Sequence, residues 1–169
     1  MQSSVRPTPF AQASPRKAVV VLELILSLPI LMIFVGAVIE FGLILANMKQ
    51  VKLASRTAAK VAAETDGLNP ATTAAVVTNL RTIVDNQLET AGFGTNASVG
   101  VRLQHSVAGT DSAESGTCAE QNTPAIPTDA VRVVVCVELS KLTPDFLSSF
   151  GFSVAGRRVE LFTTYPYER

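Results

Sequence analysis

The sequence predicts an α+β fold in which a long N-terminal membrane helix extends into one small domain, built from a second helix and a three- to four-stranded antiparallel sheet. Three observations lead to this prediction. An apolar run of 31 residues lies between Lys17 and Lys49 and carries only two charges. Apolar residues keep a helical spacing beyond that run, and past Gly94 their period changes to alternation. We therefore divide the chain into a leader (1–18), a transmembrane helix (19–48), an amphipathic helical extension (49–66) and an α+β domain (67–169).

The composition narrows the function before any motif does. The 169 residues contain 14 basic and 14 acidic side chains, so no polyanionic partner such as nucleic acid is expected. About 120 residues remain beyond the apolar run, which is enough for one small domain with its own core.

The leader, residues 1–17, contains three prolines, three basic residues and no acidic residue, a composition typical of disorder. A secretory signal peptide also has a basic leader, but its apolar core spans only about 7 to 15 residues. The run that follows here is about twice as long and continues into a polar helix, so a signal anchor fits better than a removed signal peptide.

The membrane helix contains two carboxylates, Glu23 and Glu40. A carboxylate at bilayer depth costs on the order of 3 kcal/mol and usually has a partner there. The two side chains lie about 100° apart around the helix axis and about 25 Å apart along it, so they do not form one site. We expect Glu23 to meet a partner. We expect Glu40 to reach the headgroups, since Asn47 and Lys49 follow it, and a second helix contact is the alternative.

The helix is expected to bend near Ile25, because Pro29 removes a backbone hydrogen bond, and then to leave the membrane and end at Gly67 after about Asp66. One side of the extension is apolar, and a basic stripe occupies the other side as a solvated face near the headgroups. The apolar residues are Val51, Ala54, Ala58, Val61 and Ala62, and the basic ones are Lys49, Lys52, Arg56 and Lys60.

A second helix is predicted from Asn69 as its cap and Pro70 as its first residue, with a stop at Gly92 and Phe93. Its apolar stripe consists of Val76, Val77, Leu80, Ile83, Val84 and Leu88.

Two strands are predicted from alternating apolar residues, one through Val99, Val101 and Leu103 and one over residues 131–139. Residues 108–129 lack periodicity and are expected to form the longest loop. A short helical turn after Pro144 carries Phe146, Leu147 and Phe150. Residues 152–154 and 158–165 are predicted to form a closing hairpin.

No enzymatic chemistry is predicted. The single histidine, His105, is expected on the exposed or edge side of its strand, with no second ligand at metal spacing. A nucleophilic pair of Cys136 and His105 is disfavoured, because a thiol among valines is usually inert. Phosphate-binding loops and triad signatures are absent from the sequence, so we expect no catalytic residue, no metal and no cofactor.

Cys118 and Cys136 are the only cysteines. A disulfide between them would close about 18 residues and contribute about 3 kcal/mol by chain entropy. Such a bond suits an oxidising compartment outside the cytoplasm, and two unpaired thiols are the alternative. Basic residues flank the apolar run on both sides, so loop charge does not decide the orientation.

The N-terminal motifs resemble a known family. Residues 17–24 (KAVVVLEL), Pro29 six residues after Glu23, and residues 39–42 (IEFG) together resemble the N-terminal region of TadE-like pseudopilins of the Flp (Tad) type IVb pilus system. The likeness covers roughly residues 16 to 60. It implies a pilin-like architecture, cleavage by a prepilin peptidase, and partners among other pilus subunits and assembly-platform proteins.

Carried onto this sequence, the resemblance makes Ala18 the residue before the cut, Val19 the first mature residue and Glu23 the fifth. A cut after Lys17 would instead make Glu23 the sixth. The implied location is the bacterial inner membrane, crossed once, with the N-terminus in the cytoplasm and the C-terminal domain outside, with or without entry into the pilus. The alternatives are an uncleaved single-pass binding or sensor protein and a pseudopilin of a secretion machine.

Overall fold

The computed structural model describes residues 15–94, 97–107, 109–118 and 124–168, so the prediction of disorder for residues 1–14 lies outside it. The helices are α1 (Pro15–Ala63), α2 (Thr73–Thr90), the four-residue α3 (Leu139–Leu142) and a 3-10 helix (Phe146–Phe150). The strands are β1 (Ser98–His105), β2 (Asp111–Gly116), β3 (Ala130–Glu138) and β4 (Arg158–Pro166). This is the α+β fold that the sequence predicts.

Helix α1 contains 49 residues and is about 70 Å long at 1.5 Å per residue. Within the described part of the chain it is the one helix long and apolar enough to cross a membrane, and no residue of its most apolar stretch is buried. It continues through Pro29. It begins at Pro15, within the predicted leader, since proline suits the first turn of a helix. Its end at Ala63 is three residues before the predicted one.

The C-terminal part of α1 packs on the sheet through small side chains. As predicted, the buried residues lie on the face opposite the basic stripe. Ser55 links the helix to the sheet, because its hydroxyl lies 3.2 Å from the Val133 carbonyl oxygen and 3.0 Å from the Thr163 hydroxyl. The buried residues on this face are Val51, Ala54, Ser55, Ala58, Ala59 and Ala62.

Helix α2 begins at Thr73, three residues after the predicted start at Pro70. Asn69 caps the turn that precedes the helix instead, since its side-chain oxygen accepts hydrogen bonds from the backbone N–H groups of Ala71 (2.9 Å) and Thr72 (3.2 Å). The predicted apolar stripe faces the core through Val77, Leu80, Val84 and Leu88.

The sheet has the order β2-β1-β3-β4 and every neighbouring pair is antiparallel. Helix α1 contacts β3 and β4, whereas α2 contacts β1 and β2, so the two helices cover one face side by side. Central strand β3 is buried on both faces over residues 130–137.

Two strand predictions are wrong. Residues 108–129 were expected to form one loop, but β2 lies within them and pairs with β1 as a hairpin edge strand. Its sequence, DSAESG, has no large apolar residue, because only one of its faces is even partly buried. The predicted closing hairpin is also absent from the described chain, since residues 152–154 form no strand and β4 pairs with β3 alone. Leu139, predicted at the end of β3, begins α3 instead.

Candidate functional site

Glu40 is buried against the domain, with 2% of its surface exposed. Its Oε2 accepts a hydrogen bond of 3.0 Å from the backbone N–H of Leu147, which is 107 residues away in the sequence. Glu40 therefore contacts the domain of its own chain, and the expectation that it reaches the headgroups stays a prediction. The first turn of the 3-10 helix holds the carboxylate because its backbone N–H groups have no partner within the helix.

Leu147 is held on α1 by two contacts one helical turn apart. Its backbone meets Glu40, and its Cδ2 lies 3.7 Å from the position that a Cβ on Gly36 would occupy. Beside these contacts is an apolar cleft of about 470 Å³ between α1 and the segment after the 3-10 helix. The cleft is lined by Ile33, Ala37, Glu40, Phe41, Ile44, Leu147 and residues 152–154.

Residues 145–154, here called the aromatic loop, have a defined internal structure. The Asp145 carboxylate accepts hydrogen bonds from the Ser153 hydroxyl (2.6 Å) and the Val154 backbone N–H (3.2 Å). Gly151 provides the positive φ of 85° that ends the 3-10 helix. The loop nevertheless exposes three aromatic rings, Phe146 and Phe150 at 51% each and Phe152 at 65%.

Glu23 is the one charged residue in the segment Val19–Ile39 of α1. It is exposed, and no residue of the described chain forms a hydrogen bond or ion pair with it. Ala18 and Val19 lie within the first two turns of the same helix, and Val19 is also exposed. The structure therefore brings neither Val19 nor Glu23 into contact with the domain.

The basic stripe is solvated at Lys49, Arg56 and Lys60, but Lys52 is an exception. Its Nζ donates a hydrogen bond to the carbonyl oxygen of Phe162 and lies 5.7 Å from the centroid of that ring. Burial, and secondarily the charge of Arg56, lower the pKa of Lys52 below its ordinary value. Lys52 therefore belongs to the contact between α1 and β4 rather than to the solvated face.

Cys118 and Cys136 are joined by a disulfide on the sheet face opposite the helices. Gly100 makes room for this bond, because a Cβ there would lie 2.7 Å from the Thr117 backbone nitrogen. Glu114 supports the same segment, accepting hydrogen bonds from Arg102 and from the Cys118 backbone N–H.

The two disulfide cysteines and Glu160 form a group of three residue types that can bind metals. Glu160 has a carboxylate oxygen within 4.8 Å of the sulfurs of Cys118 and Cys136. Both sulfurs are bonded to each other, so they offer no thiolate to a metal.

His105 is fully buried, so the expectation of an exposed or edge position is wrong. Its Nε2 lies 2.8 Å from the Thr73 hydroxyl, and its Nδ1 lies 3.2 Å from the Val107 carbonyl oxygen. The alternation of β1 could have predicted this burial, because His105 follows Val101 and Leu103 at a spacing of two. The ring connects the end of β1 to the start of α2, and with Cys136 in a disulfide it has no thiol partner.

A helix of membrane-spanning length that continues into an α+β domain defines the class of membrane-anchored proteins. One carboxylate in the apolar half of this helix, Glu23, has no partner among the described residues. The sequence profile of the family described as TadE-like protein matches residues 18–60 of this chain. Residues 18–60 are therefore similar to TadE-like proteins, and this similarity confirms the resemblance seen in the sequence. The match supports a minor-pilin role associated with the Tad pilus and interaction with other pilus components in general. No curated protein and no solved structure matches the chain.

Proposed function

We propose that the chain is a TadE-like minor pilin or pseudopilin that acts in assembly of a Flp (Tad) type IVb pilus and has no enzymatic role. Its helix crosses the bacterial inner membrane once, with the N-terminus in the cytoplasm and the disulfide-bonded domain outside. The family match to residues 18–60 supports this proposal. The observation that carries it is Glu23 in the apolar half of α1, which is exposed and has no partner among the residues that the structure describes.

Glu23 pairs, in this proposal, with the free α-amino group of a neighbouring subunit. An unpaired carboxylate at bilayer depth costs on the order of 3 kcal/mol, and a buried ion pair recovers much of that cost. The described chain supplies no partner for Glu23, whereas Glu40 has one in Leu147. The two carboxylates therefore have different roles: Glu23 joins subunits, and Glu40 acts within the subunit.

The test compares Glu23→Leu with Leu26→Ala, a matched change at another exposed position of the same apolar segment. Glu23→Leu should insert at least as well as the wild type, because it removes a charge from the membrane. It should lose recovery of other pilus subunits and lose pili, because breaking one side of a buried pair typically costs about 3 to 5 kcal/mol. Leu26→Ala should behave like the wild type. Normal pili from Glu23→Leu at matched membrane levels would remove the proposed role.

Processing is the second test. We propose that a prepilin peptidase cuts between Ala18 and Val19, near the start of α1, where helical hydrogen bonds are easiest to open. The intact mass of protein from native membranes should correspond to a chain that begins at Val19. A chain that retains Met1 in cells with active peptidase would favour the uncleaved binding or sensor protein instead.

A further inference from the structure

The aromatic loop contacts α1 at Glu40. The length of the apolar segment places this position relative to the bilayer. The segment Val19–Ile39 contains one charge, Glu23, and spans about 31 Å at 1.5 Å per residue. The hydrocarbon core of a bilayer is about 30 Å thick. With residue 19 at one boundary, the opposite boundary of the core therefore lies at Glu40, where the loop contacts the helix.

We propose that the aromatic loop is a membrane-interface anchor, whose Phe146, Phe150 and Phe152 enter the boundary region of the same bilayer that α1 crosses. These rings are at least half exposed in the chain itself. Large apolar side chains without a partner favour removal from water, and aromatic residues concentrate at membrane interfaces. A lipid surface is the expected occupant rather than a protein, because the hydrogen bond to Glu40 holds the loop at bilayer depth.

Glu40 is the positioning residue of this anchor. Its carboxylate accepts the Leu147 N–H at 3.0 Å and is 2% exposed, so the loop shields the charge from the acyl chains. The contact also gives a polar partner to a backbone donor that would otherwise be desolvated at the membrane boundary. The carboxylate and the loop thus stabilise each other at a depth that neither would occupy well alone.

The contacts of α1 on the C-terminal side of Glu40 fit this placement. The side-chain amide of Asn47 donates a hydrogen bond to the Leu142 carbonyl oxygen, so the domain already packs on α1 within residues 41–48. The hydrocarbon-spanning part of the helix then ends at Ile39, and the last turns of the predicted span lie in the interface beside the domain.

The chain contains no tryptophan, so a single substitution introduces a unique fluorophore. Phe150→Trp and Phe152→Trp would each be made in the full-length chain and reconstituted alone into phosphatidylcholine vesicles. Tyr167→Trp is the matched control, because Tyr167 contacts Thr65 beyond the end of α1, about 35 Å further along the helix axis. Quenching is measured with phospholipids brominated either near the headgroup end or near the terminus of the acyl chain.

The two loop variants should show blue-shifted tryptophan emission. Lipid brominated near the headgroup end should quench most of that emission. They should respond less to lipid brominated near the chain terminus, and the Tyr167→Trp control should respond to neither. Emission from both loop variants that is as insensitive to lipid as the control would overturn the proposal. Quenching only by the deeply brominated lipid would overturn the interfacial placement.

Glu40→Leu, combined with Phe150→Trp, tests the positioning role. It should reduce headgroup-level quenching while membrane insertion is retained, and Glu40→Gln, whose amide oxygen can accept the Leu147 N–H, should restore it. Unchanged quenching in Glu40→Leu would remove Glu40 from the anchor. Purified chain alone is used throughout, so the result does not depend on whether the protein assembles pili.

Discussion

At the scale of single residues, two glutamates of one helix acquire opposite environments. Glu23 is exposed and has no partner in the described part of the chain, whereas Glu40 is covered by a loop more than a hundred residues away. Both environments follow from the position at which the domain packs on α1, since the domain contacts Glu40 but does not reach the N-terminal half of the span. Identical side chains in the same apolar segment can therefore have different environments, one exposed and one docked against the domain.

His105 provides the prediction at this scale. His105→Ala removes a fully buried ring and its contacts with Thr73 and Val107. We expect a loss of about 2 to 4 kcal/mol in the free energy of unfolding, because the substitution leaves a cavity and unpaired polar groups. Thermal unfolding in mild detergent, followed by circular dichroism, measures it. Gln104→Ala, on the other face of β1, is the control and should change stability by less than about 0.5 kcal/mol.

At the scale of secondary structure elements, the close approach between β1 and the segment after β2 determines where the disulfide can form. Gly100 faces that segment, and a Cβ there would lie 2.7 Å and 3.0 Å from backbone atoms of Thr117 and 3.2 Å from the Cys118 sulfur. Backbone atoms cannot move aside as a flexible side chain would. The glycine is therefore required by the crossing of two backbones rather than by a turn.

We expect Gly100→Ala to destabilise the domain by about 1 to 3 kcal/mol, because overpacking forces the backbone to shift. It should also lower the fraction of chains that carry the disulfide. Gly42→Ala is the matched control: nothing lies within 4 Å of its added Cβ, and alanine favours the helix. Alkylation before and after reduction quantifies the bond in both variants. Equal disulfide content and equal melting temperatures would show that the sheet accommodates the extra carbon.

At the scale of the whole molecule, the disulfide links fold and location. Cys118 and Cys136 are bonded, and such bonds persist in oxidising compartments. The measurement uses cells whose outer barrier has been opened and whose inner membrane is intact. We expect a thiol-reactive polymer to give no labelling before a reductant is added and two labels per chain afterwards. Equal labelling with and without reductant would mean free thiols and contradict the disulfide, whereas no labelling in either condition would count against an extracytoplasmic domain.

Much of the architecture follows from the sequence alone. Helix α1 and the apolar stripe of α2 are set by periodicity, which is a local property of consecutive residues. The central strand β3 is similarly evident from its valines, since a strand buried on both faces is apolar at nearly every position. The family match to residues 18–60 rests on the same local N-terminal pattern.

Only the tertiary structure decides the remaining features. Strand β2 has a polar sequence and becomes a strand because β1 supplies its hydrogen-bonding partner. The burial of Glu40 requires a backbone N–H that lies 107 residues away, and no local pattern encodes a contact at that separation. The sequence by itself therefore determined the anchor, the helices and the fold class, whereas long-range contacts between the domain and α1 decided which carboxylate the domain covers.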